Sequence, residues 1–249
     1  MKIRLTISAS VALVAVLATA VAVAFAGGTA TAAPQATLKV GLVTDIGGLN
    51  DRGFNSLANA GAQQAKKQLG VDLRVLTSKS NADYIPNLSS LARQNYDLII
   101  GVGFLMDSAM DTVATKFPKL SFAIIDDDVT FMKHKPKNVR GLLFREQEAG
   151  YLVGYATGLW LKLHPVDGQM IGASVGGQKI PPVDRYIAGF RYGVTKSNPA
   201  ATTLNGYSQD FVDQAKCKEA ALNDIANGAG VVFQVAGGCG LGALDAAKE

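Results

Sequence analysis

The stretch KVGLVTDIGGLNDRGFN, residues 39–55, decides the predicted fold. It opens with a short apolar run, residues 40–44, then turns polar at Asp45 and passes through a glycine-rich loop. A helical pattern follows, with small or apolar residues recurring at a period of 3.6: Phe54, Leu57, Ala58, Gly61, Ala62, Ala65 and Leu69. Strand, glycine-rich loop and helix in this order are typical of an open α/β sheet, whose ligands bind at the carboxyl ends of the strands.

The rest of the chain alternates between apolar runs and helical stretches. Strands are predicted at residues 38–44, 73–77, 98–102, 121–126, 139–144, 170–175, 202–207 and 230–235. Helices are predicted at residues 53–69, 84–94, 107–116, 146–163, 183–196, 212–227 and 240–248. This alternation predicts an α/β protein with doubly wound parallel sheets. Because the break HPVDG follows the fourth of these helices, we expect two lobes, residues 37–164 and 165–249.

Three glycines, Gly150, Gly154 and Gly158, lie four residues apart in the predicted helix 146–163. In a membrane this spacing would indicate helix dimerisation, but here the flanks are polar and the run is too short to span a bilayer. We therefore predict that this helix packs closely against a sheet.

Residues 1–33 have the composition of an export signal. Lys2 and Arg4 precede a long uncharged run, residues 7–25, and small residues suited to cleavage follow. The alternative is an uncleaved anchor, because the run approaches the length of a membrane span. We predict an exported protein, extracellular, at the cell surface or periplasmic. Since no cysteine precedes Cys217, lipid attachment near the signal is not expected.

The charge balance argues against a nucleic-acid partner. Once Lys2 and Arg4 are removed with the signal, 22 basic residues stand against 20 acidic residues. A chain so near neutrality has no basic patch to attract phosphates. No phosphate-binding GxxxxGK[ST] motif is present either.

Cys217 and Cys239 are the two cysteines of the chain. Because exported proteins meet oxidising conditions, the pair is a possible disulfide. Cys217 falls on a predicted helix and Cys239 just after the following strand, so packing of these elements would bring them together. The alternative is two small buried thiols. No metal site is predicted, because no histidine has suitable spacing.

Polar, glycine and aromatic residues recur where the predicted strands end. They suit a neutral ligand with a flat apolar part and neighbouring hydroxyl groups. Aromatic rings stack on a base, carboxylates accept hydrogen bonds from hydroxyls, and glycines let backbone amides approach. Clustered carboxylates without a compensating Lys or Arg would repel phosphate, so a nucleotide fits poorly.

The stretch VTDIGGLNDRGFN, residues 43–55, resembles the opening motif of the basic membrane protein family. This family includes purine nucleoside receptor lipoproteins, which are the substrate-binding components of ABC-type importers. The resemblance covers residues 38–249 and continues through DLIIGVGF, FAIID, GYLVGYATGL, IPPVDRYIAGF and VFQVAGG. It implies a type I periplasmic-binding-protein-like fold with a ligand cleft between two lobes. It also implies a nucleoside ligand, ABC permease partners and no catalysis; we expect a monomer without cofactors. Family members continue beyond the last predicted helix, so we expect a C-terminally incomplete second lobe.

The resemblance also implies roles for individual residues. Phe54 and Phe211 would face the two sides of a base, and Asp45 and Asn55 would contact its edge. Asp126 would hold the ribose hydroxyls. The alternative for Phe54 is a place in the hydrophobic core, which is common for a phenylalanine in the first turn of a helix.

Three further residues complete the predicted site. Gly103 and Gly238 would line its wall, and Asp51 is included as a polar ligand contact. Asp51 and Asn50 have an alternative role as helix caps, which we favour for Asn50. Residues 126–128, three aspartates, could instead form a solvated loop or contact calcium, although the spacing of a regular calcium loop is absent.

Enzymatic function is only weakly supported. The two histidines, His134 and His164, lie in predicted surface loops, and no G-x-S-x-G motif is present. The aspartates could act as a glycosidase pair in a nucleoside hydrolase-like enzyme, but they are spread over separate loops. A surface sensor with the same fold is a further alternative. We predict a binding protein rather than an enzyme.

Overall fold

The computed structural model describes residues 37–249. The strands are β1 Lys39–Val43, β2 Asp72–Leu76, β3 Leu98–Val102, β4 Ser121–Ile125, β5 Val139–Leu142, β6 Ile171–Gly176, β7 Thr202–Tyr207 and β8 Ala229–Val235. The α-helices are α1 Phe54–Leu69, α2 Tyr84–Arg93, α3 Asp107–Lys116, α4 Glu146–Leu163, α5 Pro181–Ser197, α6 Gln214–Ala226 and α7 Gly240–Ala246. The predicted bounds differ from these by at most two residues at either end.

The strands form two parallel sheets, with the orders β2-β1-β3-β4-β5 and β7-β6-β8. In the first sheet the chain runs outward from β1 to β2 and then returns past β1 to β3. The winding direction therefore reverses between β1 and β3, and in the second sheet it reverses between β6 and β8. A crevice forms at the carboxyl ends of the strands at each reversal, which is where ligands bind in open α/β sheets.

Each sheet has its own hydrophobic core. The core of the first sheet contains large side chains from β1, β3, β4, α2 and α3, including Val43, Leu88, Leu91, Ile99, Met110 and Ile124. On one face of the second sheet, α6, α7 and the loop before α7 contribute mainly alanines and the two cysteines. On the other face Phe190 of α5 stacks on Phe233 of β8, with ring centroids 5.1 Å apart.

Helix α1 forms where the period predicts it, but only part of its predicted apolar face is covered. Leu57 and Leu69 are 71% and 76% exposed, and Gly61 is exposed as well. The buried residue of this helix is Asn55, whose amide hydrogen-bonds to the loop after β1. The side of the helix that carries Asn55 therefore faces this loop.

Helices α4 and α5 lie in direct backbone contact. A Cβ atom at Gly150, Gly154 or Gly158 would collide with a backbone carbonyl of α5: those of Tyr186, Phe190 and Val194 respectively. The close packing predicted for these glycines is present, with the glycines facing helix α5 and the helix contacting strands of a sheet as well.

Helix α4 contacts β6 and β8 in addition to α5, so it packs with the second sheet. The predicted division places this helix in the first lobe, because the HPVDG break follows it. We therefore propose that the boundary between the lobes lies in residues 143–145, before α4, instead of at residues 164 and 165. Below, a lobe means one sheet with the helices packed on it.

The predicted export signal, residues 1–33, lies outside the described residues. Within residues 37–249, none of the helices combines the length and apolar character needed to cross a membrane.

Candidate ligand-binding site

A cavity of about 390 Å³ lies at the carboxyl ends of strands from both sheets. Its wall includes all eight residues predicted to bind ligand: Asp45, Asp51, Phe54, Asn55, Gly103, Asp126, Phe211 and Gly238. Asp45 and Gly103 follow β1 and β3, the strands at which the first sheet reverses, and Gly238 follows β8. The structure thus brings the eight residues together, while their contact with a ligand stays a prediction.

Asp45 is held firmly in the loop after β1. Its carboxylate accepts hydrogen bonds from the hydroxyl of Tyr84 and, at Oδ1, from the backbone N–H of Ile46 at 2.7 Å. The other oxygen, Oδ2, packs against Gly103, whose φ of 104° and lack of a side chain permit this approach. Burial raises the pKa of Asp45 more than the two hydrogen bonds lower it.

Asn55 fastens the same loop from the first turn of α1. Its Oδ1 accepts from the backbone N–H of Asp45 at 2.8 Å, and its Nδ2 donates to the carbonyl of Ile46 at 3.2 Å. Asn55 is only 2% exposed. The amide is therefore largely used in shaping the wall, whereas the family resemblance implied contact with a base edge.

Asp51 caps the amino end of α1. Its carboxylate accepts from the backbone N–H groups of Gly53 at 3.1 Å, Asn55 at 2.6 Å and Ser56 at 3.1 Å. Burial acts to raise the pKa of Asp51, but these N–H groups outweigh it and hold the pKa below its ordinary value. The capping role that the sequence analysis favoured for Asn50 therefore belongs to Asp51.

The three consecutive aspartates after β4 have different surroundings. Asp126 lines the cavity and adopts a left-handed conformation, with φ of 67°. Burial, followed by the nearby charge of Glu146, raises the pKa of Asp126 to about 6. Asp127 is buried away from the cavity, and Asp128 accepts hydrogen bonds from Thr130. Of the three, Asp126 is the one placed to meet a ligand.

The alternative of a metal site gains no support from these aspartates. Within residues 37–249, no three or more His, Cys, Asp or Glu residues are grouped so that they could hold a metal ion.

A disulfide anchors the part of the wall that follows β8. Cys217 in α6 is bonded to Cys239, with their Cα atoms 5.5 Å apart. The backbone N–H of Cys239 donates to the carbonyl of Phe211 at 3.0 Å. The disulfide therefore connects α6 to the Gly238 loop and, through that hydrogen bond, to Phe211.

Several further residues of the cavity wall, most of them apolar, are absent from the predicted site. They are Ile46, Gly53, Leu57, Phe104, Ile180, Pro182, Val183, Tyr186, Phe233, Gln234, Val235, Ala236 and Gly237. Tyr186 could have been found, because the segment IPPVDRY opens the helix that follows β6. Phe233 lies within a strand, and nothing in the local pattern distinguishes a strand residue at a cavity from one in the core.

Comparison with known proteins identifies the family of this chain. Residues 38–249 match the family model described as an ABC transporter substrate-binding protein, PnrA-like. The chain belongs to this family, the basic membrane protein family. An uncharacterized lipoprotein of Pyrococcus abyssi is 37% identical over 229 residues, which are 90% of this chain and 55% of that protein. An ABC transporter nucleoside-binding protein of Lactococcus lactis is 31% identical over 218 residues, 86% of this chain and 59% of that protein.

The fold is that of solute-binding proteins of ABC transporters. A crystal structure of such a protein from Aeropyrum pernix superposes with a TM-score of 0.75 at 32% identity, covering 85% of this chain and 58% of that one. The chain thus spans a little over half the length of the curated relatives described here.

Proposed function

We propose that this protein is the extracytoplasmic substrate-binding component of an ABC importer and binds a purine nucleoside or a close analogue between its two lobes. The observation that carries the proposal is one shared cavity, on which carboxylates of the first lobe and phenyl rings of both lobes converge. The name of the Lactococcus lactis relative supports the same ligand class. The predicted export signal and the lipoprotein relatives support a position outside the cytoplasm.

The composition of the wall favours a nucleoside over a nucleotide. Phe54 and Phe211 provide rings for stacking on a base, and Asp126 provides a carboxylate that can accept from two neighbouring hydroxyls. Three carboxylates but no Lys or Arg stand among the described residues of the wall, so a phosphate would be repelled. A volume of about 390 Å³ suits a small molecule.

Closure of the lobes on the ligand would hide it from water and present a new surface to the membrane permease. In this proposal the first lobe contributes the carboxylates and the second contributes most of the apolar wall. The partners are then the nucleoside and the permease subunits, and the binding protein acts as a monomer.

Isothermal titration of the purified protein with adenosine, guanosine, inosine and AMP tests the proposal. We expect binding of at least one nucleoside and at least tenfold weaker binding of AMP, because of the wall carboxylates. The proposal would be contradicted if none of the nucleosides gave a heat of binding, or if AMP bound as tightly as adenosine. Chromatography of the same mixtures separates binding from hydrolysis, since steady release of free base would establish the nucleoside hydrolase instead.

The Asp126→Ala variant tests the residue on which the ligand class depends most. Loss of its hydrogen bonds to the ribose hydroxyls should weaken nucleoside binding by more than about tenfold. Asp128→Ala is the matched control, because Asp128 lies two residues away and outside the cavity wall. Equal affinities for the two variants would remove Asp126 from the site.

A further inference from the structure

Charged side chains of the first lobe are segregated between the two edges of its sheet. Asp45 follows β1, and the three aspartates at residues 126–128 follow β4, at the carboxyl edge beside the cavity. The opposite edge, at the amino ends of the strands, carries an excess of basic residues. The near-neutral charge of the whole chain conceals this segregation, because a count of residues takes no account of their positions.

This amino edge, here named the basic edge, is formed by the last turns of three helices and by two loops. A helix between parallel strands returns the chain from the carboxyl edge to the amino edge, so its last turn and the loop after it lie at the amino edge. The basic residues there are Lys66 and Lys67 of α1, Arg93 of α2, Lys116 of α3, Lys119 before β4, and Lys135 and Lys137 before β5. All of them are exposed, and none forms an ion pair with another described residue.

Asn138 joins the two loops of the basic edge. Its Nδ2 donates to three backbone carbonyls at the end of α3 and in the loop after it, those of Ala114 at 3.2 Å, Phe117 at 3.1 Å and Leu120 at 2.9 Å. Lys119 and Lys137 each lie two residues before one of the paired strands β4 and β5. The two lysines are therefore held at the same end of the sheet.

The acidic residues at this edge are too few to balance the basic ones. Asp72 begins β2, and Asp97, just before β3, accepts a hydrogen bond from the backbone N–H of Lys39 at 2.8 Å. Residues 112–125 and 129–145, which include the two loops of the basic edge, contain no Asp or Glu. The basic edge thus has a net positive charge at the end of the lobe farthest from the cavity.

The apolar segment that precedes the described residues joins the fold at this same edge. Residue 37 lies two residues before β1, so the chain reaches the amino end of β1 from residues 1–36. That segment contains the uncharged run at residues 7–25, predicted as an export signal or an uncleaved anchor. An apolar chain and a basic patch side by side are typical of proteins that lie against a bilayer, because the two attractions add.

We propose that the basic edge of the first lobe docks on an anionic membrane surface, with its lysines against the phosphate groups of the lipid headgroups. Lysine suits this partner, because an ammonium group on a flexible stem needs no fixed geometry to meet a phosphate. Since the cavity lies at the carboxyl edge, a docked protein would keep it away from the bilayer and accessible to its ligand. The proposal goes beyond the proposed function and does not depend on which ligand the cavity binds.

Vesicle sedimentation of the purified full chain tests the docking. Its partition into vesicles of phosphatidylcholine and phosphatidylglycerol in equal parts is compared with its partition into pure phosphatidylcholine. The uncharged run at residues 7–25 contributes to both, so the ratio reports the charges. At low ionic strength the ratio should be at least about a hundred. In about 1 M NaCl, which screens charges beyond about 3 Å, it should approach one. Equal partition at low ionic strength would overturn the proposal.

Two double variants establish which lysines are responsible. Lys119→Gln, Lys137→Gln should weaken partition into the anionic vesicles by about 25-fold, since one lysine near such a surface contributes about fivefold. Lys162→Gln, Lys196→Gln is the matched control, because these exposed lysines lie in the last turns of α4 and α5 in the second lobe. It should change partition by less than about twofold. Equal losses would show that total charge governs the association, which would overturn a specific basic edge.

Hydrogen exchange of the vesicle-bound chain locates the contact. The amides of residues 133–138 should exchange several-fold more slowly on the anionic vesicles than on the neutral ones, whereas those of residues 164–169, a loop of the second lobe, should not differ. Equal exchange in residues 133–138 on the two vesicles would overturn the docking. A DNA duplex distinguishes a membrane from a nucleic acid as the partner. Tighter association with the duplex than with the anionic vesicles would assign the edge to nucleic acid and overturn the proposal.

Discussion

The two sides of the cavity are built and held in different ways. On the first-lobe side, polar side chains form the wall and hydrogen bonds fix them, as Asn55 and Tyr84 do for Asp45. On the second-lobe side the wall is mainly apolar, and a disulfide and a backbone-to-backbone helix pair hold its elements. Carboxylates can be oriented by donors, because each has several acceptor positions. Apolar side chains have no acceptor atoms that donors could orient. On the second-lobe side, covalent bonding and close packing therefore hold the elements in place of hydrogen bonds.

The largest change to the second-lobe side is loss of the disulfide. Cys217 and Cys239 are 22 residues apart, and opening a loop of this size should lower the free energy of unfolding by about 3 kcal/mol. Urea denaturation of the Cys217→Ala, Cys239→Ala double variant measures it. Wild-type protein treated with a reducing agent is the control and should show a similar loss. A loss below about 1 kcal/mol in both would show that packing alone holds this side.

The helix pair is tested by adding one methyl group. Gly154→Ala should lower the free energy of unfolding by about 2 kcal/mol, because the new Cβ collides with the carbonyl of Phe190. Gly61→Ala is the matched control: Gly61 also lies inside a helix, but open space surrounds it. That change should stabilise the protein by up to about 1 kcal/mol through helix propensity. Equal effects of the two substitutions would disprove close contact between α4 and α5.

On the first-lobe side, removal of the carboxylate that caps α1 tests how much its hydrogen bonds stabilise the protein. Asp51→Ala deprives three backbone N–H groups of their acceptor and should cost about 1 to 2 kcal/mol in urea denaturation. Asn50→Ala, at the exposed neighbouring residue, should change stability by less than about 0.5 kcal/mol. A larger loss of stability in Asn50→Ala than in Asp51→Ala would show that Asn50 caps the helix.

The smallest expected effect concerns pH and the buried Asp127. Burial, and then the neighbouring Asp107, raises the pKa of Asp127, so the folded state holds this proton more tightly than the unfolded state does. The protonated carboxyl therefore favours the folded state, and stability falls as pH rises above the pKa of the unfolded chain. Asp127→Asn, which carries no charge, should melt a few degrees higher than wild type at pH 8.

The difference between Asp127→Asn and wild type should shrink as the pH is lowered toward 4, where the wild-type carboxyl is neutral as well. Thermal melts at both pH values measure it. A difference independent of pH would show that Asp127 does not carry the buried charge.

Much of the site could be predicted because it lies in loops that follow strands. Asp45 and Asp126 directly follow apolar runs, and the carboxyl ends of parallel strands meet at one edge of a sheet. Tyr84 and Glu146 could not be predicted, because they lie on helices and not in loops that follow strands. Tyr84 reaches Asp45 across 39 residues, and no local pattern marks a helical tyrosine as the donor to a distant carboxylate.

The sequence by itself determined the alternation of strands and helices and the loops that carry the polar residues, because burial of one face imposes a period of 2 or 3.6 on neighbouring residues. Only the tertiary structure decided which face of α1 is buried, that α4 packs on α5 in the second lobe, and that Glu146 lies beside Arg185. Those outcomes depend on contacts between residues far apart in the chain, and such contacts leave no period in the sequence.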